Sequence, residues 1–310
     1  MRGTRRSIAA TAVGALAVAG VLGWALAGRR DEFAAALDAA PVWILLIAAA
    51  LQIVALVSRS EAWHASVTAA GGTISRRRLH RAAGMGNLAS VVNTQLGAAA
   101  RIAVLRRTAP DDAPRVPALI PAEVPILSIE AALAAIASST LVGPLGLPWW
   151  LPLVCLAAAG AAIAALGRLS GSRRHECWRG LAVLRSLRGR NRVVTLVLVA
   201  VFAQILRNWL MLHAVGVDAS LFDATAVLIA MVMLSQLPVG PSVGAAAVVL
   251  ILGAGGVAAT AAAGVLLTVT GIVGALCFAG WAALDRLRPS VPQLPKAPPR
   301  SAAFADTGRT

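Results

Sequence analysis

The chain has 310 residues, of which 58% are hydrophobic and 13% charged, and a mean hydropathy of +0.78. Soluble domains carry about 25% charged residues, so a water-soluble enzyme or regulator is excluded, and several apolar runs reach the roughly 20 residues needed to cross a hydrocarbon core. Barrel-type alternation is absent, which leaves an all-α polytopic membrane protein. The net charge of +15 would point to nucleic acid in a soluble protein. In a membrane protein arginines first mark cytoplasmic loops, and no nucleic-acid partner is expected.

In chain order, Met-Arg-Gly-Thr-Arg-Arg precedes an apolar run from about Ser7 to Gly28. The Arg5-Arg6 pair gives it the look of a signal peptide. Its length and the spans behind it favour a transmembrane helix that starts in the cytoplasm. Residues 29–40 set Arg29 and Arg30 against Asp31, Glu32 and Asp38 and read as an outer loop. A second span runs from about Pro41 to Ser58. The stretch after it is rich in arginine and therefore cytoplasmic, with Arg59, Glu61 and Trp63 as an anchor at the membrane edge.

Residues 79–105 are apolar, yet both flanks are basic: Arg76–Arg78 and Arg81 before, Arg101, Arg106, Arg107 and Arg115 after. A single crossing would leave one cluster outside, so a re-entrant hairpin from the cytoplasmic side is expected. Its turn falls near Ser90–Gln95, where Asn93, Thr94 and Gln95 can satisfy an interrupted backbone. A buried amide without a partner costs about 2 kcal/mol or more, and irregular backbone at membrane depth is tolerated only where it is buried in protein or lines a cavity.

Val116 to Val142 then crosses outward, and "GPLGLPWW" forms a short outer loop with an interfacial Trp149-Trp150 pair. Leu151 to Leu166 crosses back. Residues 168–192 hold eight arginines against one acid, Glu176, and read as a cytoplasmic loop. Val193 to Val215 crosses outward. Residues 224–258 contain a second interruption, "LSQLPVGPSVG", which fits either a half-helix pair or two complete spans. Ala261 to Leu284 crosses in.

The expectation is thus about six full spans plus two broken or re-entrant pairs, forming one transmembrane domain over 1–284. A disordered, proline-rich cytoplasmic tail follows at 285–310. Both termini are expected in the cytoplasm of a cell whose inner (plasma) membrane holds the chain. The order of elements in about 7–142 returns with every direction reversed in about 151–284. Inverted repeats with discontinuous helices are a sequence-level mark of many transporters; an ordinary bundle with two helix-breaking loops is the alternative.

Ionisable groups inside a bilayer suggest function by default. Glu123 and Glu130 lie seven residues apart on one helical face, and Arg101 is a plausible partner for Glu123. The pair could bind a zwitterionic or anionic headgroup or take up a proton; a structural ion pair locking hairpin to span is the alternative. Gln204, Arg207 and Asn208 interrupt the span 193–215, and Gln236 precedes Pro238. These could complete a polar path or form interhelical hydrogen bonds, each worth about 0.6 kcal/mol. Cys155, Cys177 and Cys277 and the four scattered histidines show neither disulfide framework nor metal-ligand spacing. Catalytic motifs are absent, so neither enzyme activity nor a cofactor is expected.

Several of these residues resemble a known pattern. "RSEAW" (59–63) resembles a basic R…AW edge, and residues 93–101 resemble P-x-R-x-G-E-x-x-R, with Gly97 and Arg101 in place. In that segment Asn93 stands at the proline, Gln95 at the arginine and Ala98 at the glutamate. Glu123 matches the glutamate of E-R-x-x-D, with Val124 and Leu127 replacing the charged pair, and "VGPSVGAAA" (239–247) keeps Gly244 of P-G-G-x-G-x-x-E but has Ala247 at the acid. In order and spacing the chain resembles, over about 40–284, the flippase-like family related to the membrane half of lysylphosphatidylglycerol synthase. The resemblance implies translocation of a polar, anionic or lipid-linked membrane lipid between leaflets. Synthase activity is not expected, because no soluble aminoacyl-transferase domain follows. Arg101 and Glu123 would then be the working residues, supported by Glu130, Asn93, Gln95, Gly97, Arg207, Asn208 and Gln236. The alternative role is a non-transporting subunit that organises a membrane-bound enzyme of lipid or cell-wall synthesis.

Overall fold

The structure is a computed structural model that describes residues 26–92, 94–170, 176–235, 243–253 and 256–287, with isolated positions between 16 and 24; side chains at 91–95, 169–178 and 180 are outside the description. The expected first span, Asn93, Gln236 and the tail therefore lie outside the described residues, as does the Gln95 side chain. Among the described residues all regular structure is helical: α1 Arg30–Asp38, α2 Val42–Ala69, α3 Arg76–Val92, α4 Thr94–Thr108, α5 Val116–Leu145, α6 Leu151–Ser170, α7 Leu187–Ala214, α8 Leu221–Leu234, α9 Val243–Leu252 and α10 Val257–Leu287. By length and composition, five of these (α2, α5, α6, α7 and α10) can cross a membrane. The chain is a multi-pass helical membrane protein.

Two elements run further than hydropathy suggests. α2 does not stop at Ser58 but continues through Arg59, Glu61 and Trp63 to Ala69. Nothing between Arg59 and Ala69 is a glycine or proline, so charge marks no helix end there; Gly71, at φ 99°, turns the chain instead. α7 begins at Leu187, six residues before the expected start, because the Ser186 hydroxyl accepts from the Gly189 N–H at 2.8 Å and caps it. The expected outer loop at 29–40 contains α1, and the expected arginine-rich loop at 168–192 contains a 3-10 stretch, Glu176–Arg185, whose Leu181 and Val183 are buried.

α5 is helical but not uniform. Pro117, Pro121 and Pro125 each lack an N–H and crowd the preceding turn, and the first two turns become a short α segment and a 3-10 turn, Pro121–Glu123. Glu123 therefore sits at a break in the helix. α3 and α4 pack on one another as a hairpin. A Cβ at Gly97 would lie 2.6 Å from the Ser90 Cβ, and one at Gly86 would lie 2.8 Å from the Arg101 Cβ; glycine at both positions lets the two backbones approach. In the second half, α8 opens on a Ser220–Asp223 capping box. At 14 and 10 residues, α8 and α9 are each shorter than a crossing.

Apolar side chains gather in two separate cores. One joins the start of α2 (Ile44, Ala48) to the end of α7 (Met211, Leu212) and to α8, α9 and α10. The other joins the end of α2 (Trp63, Val67) to the start of α7 (Val193, Val197) and to α3, α4 and α5. α2 and α7 pack along their length and run through both. Between the cores the filling is small: Ala55, Ala200 and Ala203.

The basic clusters are tied to specific acids at one end of the bundle. Asp285 at the end of α10 accepts from Arg77 Nε at 2.6 Å and from Arg81 Nε at 2.5 Å. Arg78 donates to Asp112 at 2.9 Å. Glu61 accepts from Arg192 at 3.1 Å, with His80 at 3.3 Å and Arg76 at 3.7 Å. These contacts fix the hairpin against α2 and α10 and tie α7 to α2.

Candidate functional site

Gln52, Arg59 and Trp63 lie on α2 at intervals of seven and four residues, so at about 100° per residue they share one face over roughly 16 Å. This face carries the polar groups that occupy the interval between the two cores and the edge of the second. At its lower end the Arg101 guanidinium, reaching out of α4, forms an ion pair with Glu123. Its Cζ also stands 4.4 Å from the centroid of the Trp63 ring. A cation over an indole face gains about 0.5–2 kcal/mol, more as water is excluded. Trp63 is fully buried, which overturns its expected role as a membrane-edge anchor: the ring is a platform for Arg101.

The next rung belongs to the other carboxylate. Glu130 Oε2 accepts from Arg59 Nη2 at 2.7 Å. Arg59 is 48% and Glu130 25% exposed, whereas Arg101 and Glu123 are 17% and 19% exposed. The inner pair is enclosed and the outer pair is accessible. Arg59 is thus part of the charged centre rather than an edge anchor, and Glu130 lies near the midpoint of the 30-residue span Val116–Leu145. Two arginines and two glutamates make the group electrically neutral.

The third rung lies at the other end of this face, next to the alanines that fill the interval between the cores. Arg207, in the last third of α7, donates from Nη1 to Gln52 Oε1 at 2.5 Å and from Nη2 to the Leu267 carbonyl oxygen and, at 3.4 Å, to Thr270 Oγ1. Gln52 carried no spacing signal in the sequence, and only the α2–α7 contact shows what it does. Asn208 is fully buried and neither of its amide atoms has a partner.

The structure thus brings Arg101 to Glu123 as expected, gives Glu130 to Arg59, and holds Arg207 apart from both pairs. Gly97 serves the close approach of α3 and α4. On the α6 side of α5, Val124, Leu127, Ser128 and Ala131 with Ala159, Ala162 and Ile163 of α6 line an apolar groove of about 220 Å³, and none of the four charged residues lines it. Among the described residues no group of His, Cys, Asp and Glu is arranged to hold a metal ion.

No family model matches the chain, and neither do the curated proteins or solved structures compared with it.

Proposed function

We propose that this protein is a lipid transporter of the flippase-like type, which moves a polar or anionic lipid between leaflets while its headgroup passes along the polar face of α2. The observation that carries this reading is the Arg59–Glu130 pair. A half-exposed arginine and a carboxylate meet near the middle of an apolar 30-residue span. Charged side chains facing hydrocarbon at that depth cost several kcal/mol, so accessible ones call for a polar neighbour. In a bilayer the lipid headgroup is the polar group available to fill that place, and the apolar groove between α5 and α6 offers room for an acyl chain along the same span.

The arrangement of elements supports the same reading. Under an inverted repeat α2 and α7 are equivalent spans, the α3–α4 hairpin is equivalent to the α8–α9 pair, and α5 to α10. The equivalent spans α2 and α7 pack together along their length, and the polar groups gather where they pass between the two cores. A substrate site between repeats near the midplane belongs in that interval. The α3–α4 hairpin is then the re-entrant element, with Arg101 carried on its second arm.

The test is translocation of a fluorescent headgroup-bearing lipid in liposomes that contain the purified full chain, followed by bleaching of the outer leaflet. Wild type should expose lipid from both leaflets. Glu130→Gln and Glu123→Gln should slow this by about tenfold or more, equivalent to 1.4 kcal/mol or more in barrier height, with expression unchanged. Wild-type rates no faster than protein-free liposomes would overturn the reading in favour of a non-transporting subunit. Loss of expression in Glu123→Gln would make that pair a structural lock.

A further inference from the structure

Arg207 carries a charge that the surrounding protein does not balance. Its side chain is 4% exposed. All three of its acceptors (Gln52 Oε1, the Leu267 carbonyl and Thr270 Oγ1) are neutral, and its Nε–H has no partner. The carboxylates that form ion pairs among the described side chains do so elsewhere: Glu61, Asp112, Glu123, Glu130 and Asp285 each face other cations. The undescribed stretches of sequence add one acid, Asp306, close to the C-terminus, and Glu176 precedes α7 at the end far from Arg207.

A guanidinium removed from water without a counter-charge costs several kcal/mol even after the protein relaxes. Neutral dipoles offset part of this. Five N–H groups meet three acceptors, which leaves two donor positions, one of them Nε–H. The free Nε–H can donate a charge-assisted hydrogen bond to an oxygen of an oxoanion. The surroundings are shaped to admit the cation: a Cβ at residue 271 would lie 3.2 Å from Nη2, so Gly271 lets the guanidinium lie against α10. On the same turn Asn208, fully buried, leaves both of its amide atoms unpaired. The Arg207 charge and its free Nε–H are thus left unsatisfied by the protein, and the Asn208 amide N–H is a second unpaired donor on the same turn.

We propose that the Arg207 guanidinium is an internal binding site for a phosphate-type oxoanion, either the phosphodiester of a lipid headgroup or free phosphate. The inference rests on the transport reading for its role and gives the cargo a sign. The four charges of the Arg101–Glu123 and Arg59–Glu130 pairs cancel, and Arg207 makes the polar face positive by one.

The test uses the full chain in dodecyl maltoside, a detergent without phosphate, and follows Tm as ligand is added. In one arm the probe is inorganic phosphate; in the other it is phosphatidylglycerol in mixed micelles. A site for the anion raises the Tm of wild type, because a ligand that binds only the folded state stabilises it by mass action. Arg207→Gln should abolish the rise, and Arg207→Lys, which keeps the charge and loses the Nε–H donor, should weaken the apparent affinity about tenfold. A rise with phosphatidylglycerol alone assigns the site to the lipid headgroup, and a rise with both probes assigns it to the oxoanion itself. No rise in wild type, or an equal rise in Arg207→Gln, overturns the proposal. Should Arg207→Gln fail to fold, Arg207→Lys decides alone, and unchanged affinity there overturns it. Binding without lipid translocation would sink the transport reading and leave the site; translocation without binding would do the reverse.

Discussion

Arg101 has three companions, and each acts on it differently. Glu123 supplies the counter-charge, the Trp63 ring supplies a polarisable face, and Gly86 supplies the space in which its stem lies. Removing one member of a largely buried ion pair strands the other, at a cost of about 3 kcal/mol or more. Arg101→Ala should therefore lower Tm by several degrees, and Arg101→Ala/Glu123→Ala should recover part of that loss. Strictly additive losses in the double variant would show that the two residues do not interact. The glutamates and Arg101 were legible because charges in an apolar run demand a partner, whether that partner is a substrate or a structural counter-charge. Arg59 and Trp63 were not, since a basic and aromatic pair beside an apolar run usually marks a membrane edge. What decides their role is the continuation of α2 for a further eleven residues beyond Ser58, and hydropathy does not encode that. A lone amide such as Gln52 has no pattern at all until its partner is known.

At the scale of elements the decisive contacts are between backbones. α9 and α10 cross at Gly244 and Gly264: a Cβ on Gly264 would collide with the Ala245 backbone, and one on Gly244 would lie 2.7 Å from the Gly264 carbonyl oxygen. Neither obstacle is a flexible side-chain tip, so the helices must separate to admit a methyl group. Gly264→Ala should then destabilise by about 1–3 kcal/mol, read as a lower Tm in detergent. Gly160→Ala on α6, where nothing lies within 4 Å, should leave Tm unchanged or higher. Equal effects at the two positions would contradict the packing described. The sequence left open whether 224–258 holds half-helices or full spans; α8 and α9 are too short to cross. The break at Glu123 was missed, because 116–142 reads as one crossing by hydropathy; the signal that would have shown it is three prolines four residues apart, each removing a donor from the same stretch of helix. The 3-10 stretch at Glu176–Arg185 was hidden by its arginines, which dominate the composition while Leu181 and Val183 do the packing.

For the whole molecule, the arrangement that matters is two apolar cores spanned by α2 and α7, with small residues and buried charge in the interval between them. Helical class and the five long apolar helices among the described residues followed directly from composition and run length. Division into two cores did not, because it depends on which ends of α2 and α7 meet which partners, and that is a matter of three-dimensional packing. An interval lined by alanine and occupied by charged side chains gives up dispersion contacts and is a poor choice for stability alone. Under the proposed transport role, this interval is where a headgroup is held. The most direct test is mass spectrometry of the lipids retained by the purified full chain, wild type beside Arg101→Ala. One lipid class should be enriched over its share of the membrane in wild type and lost in the variant. Retained lipid of bulk composition in both would contradict that role.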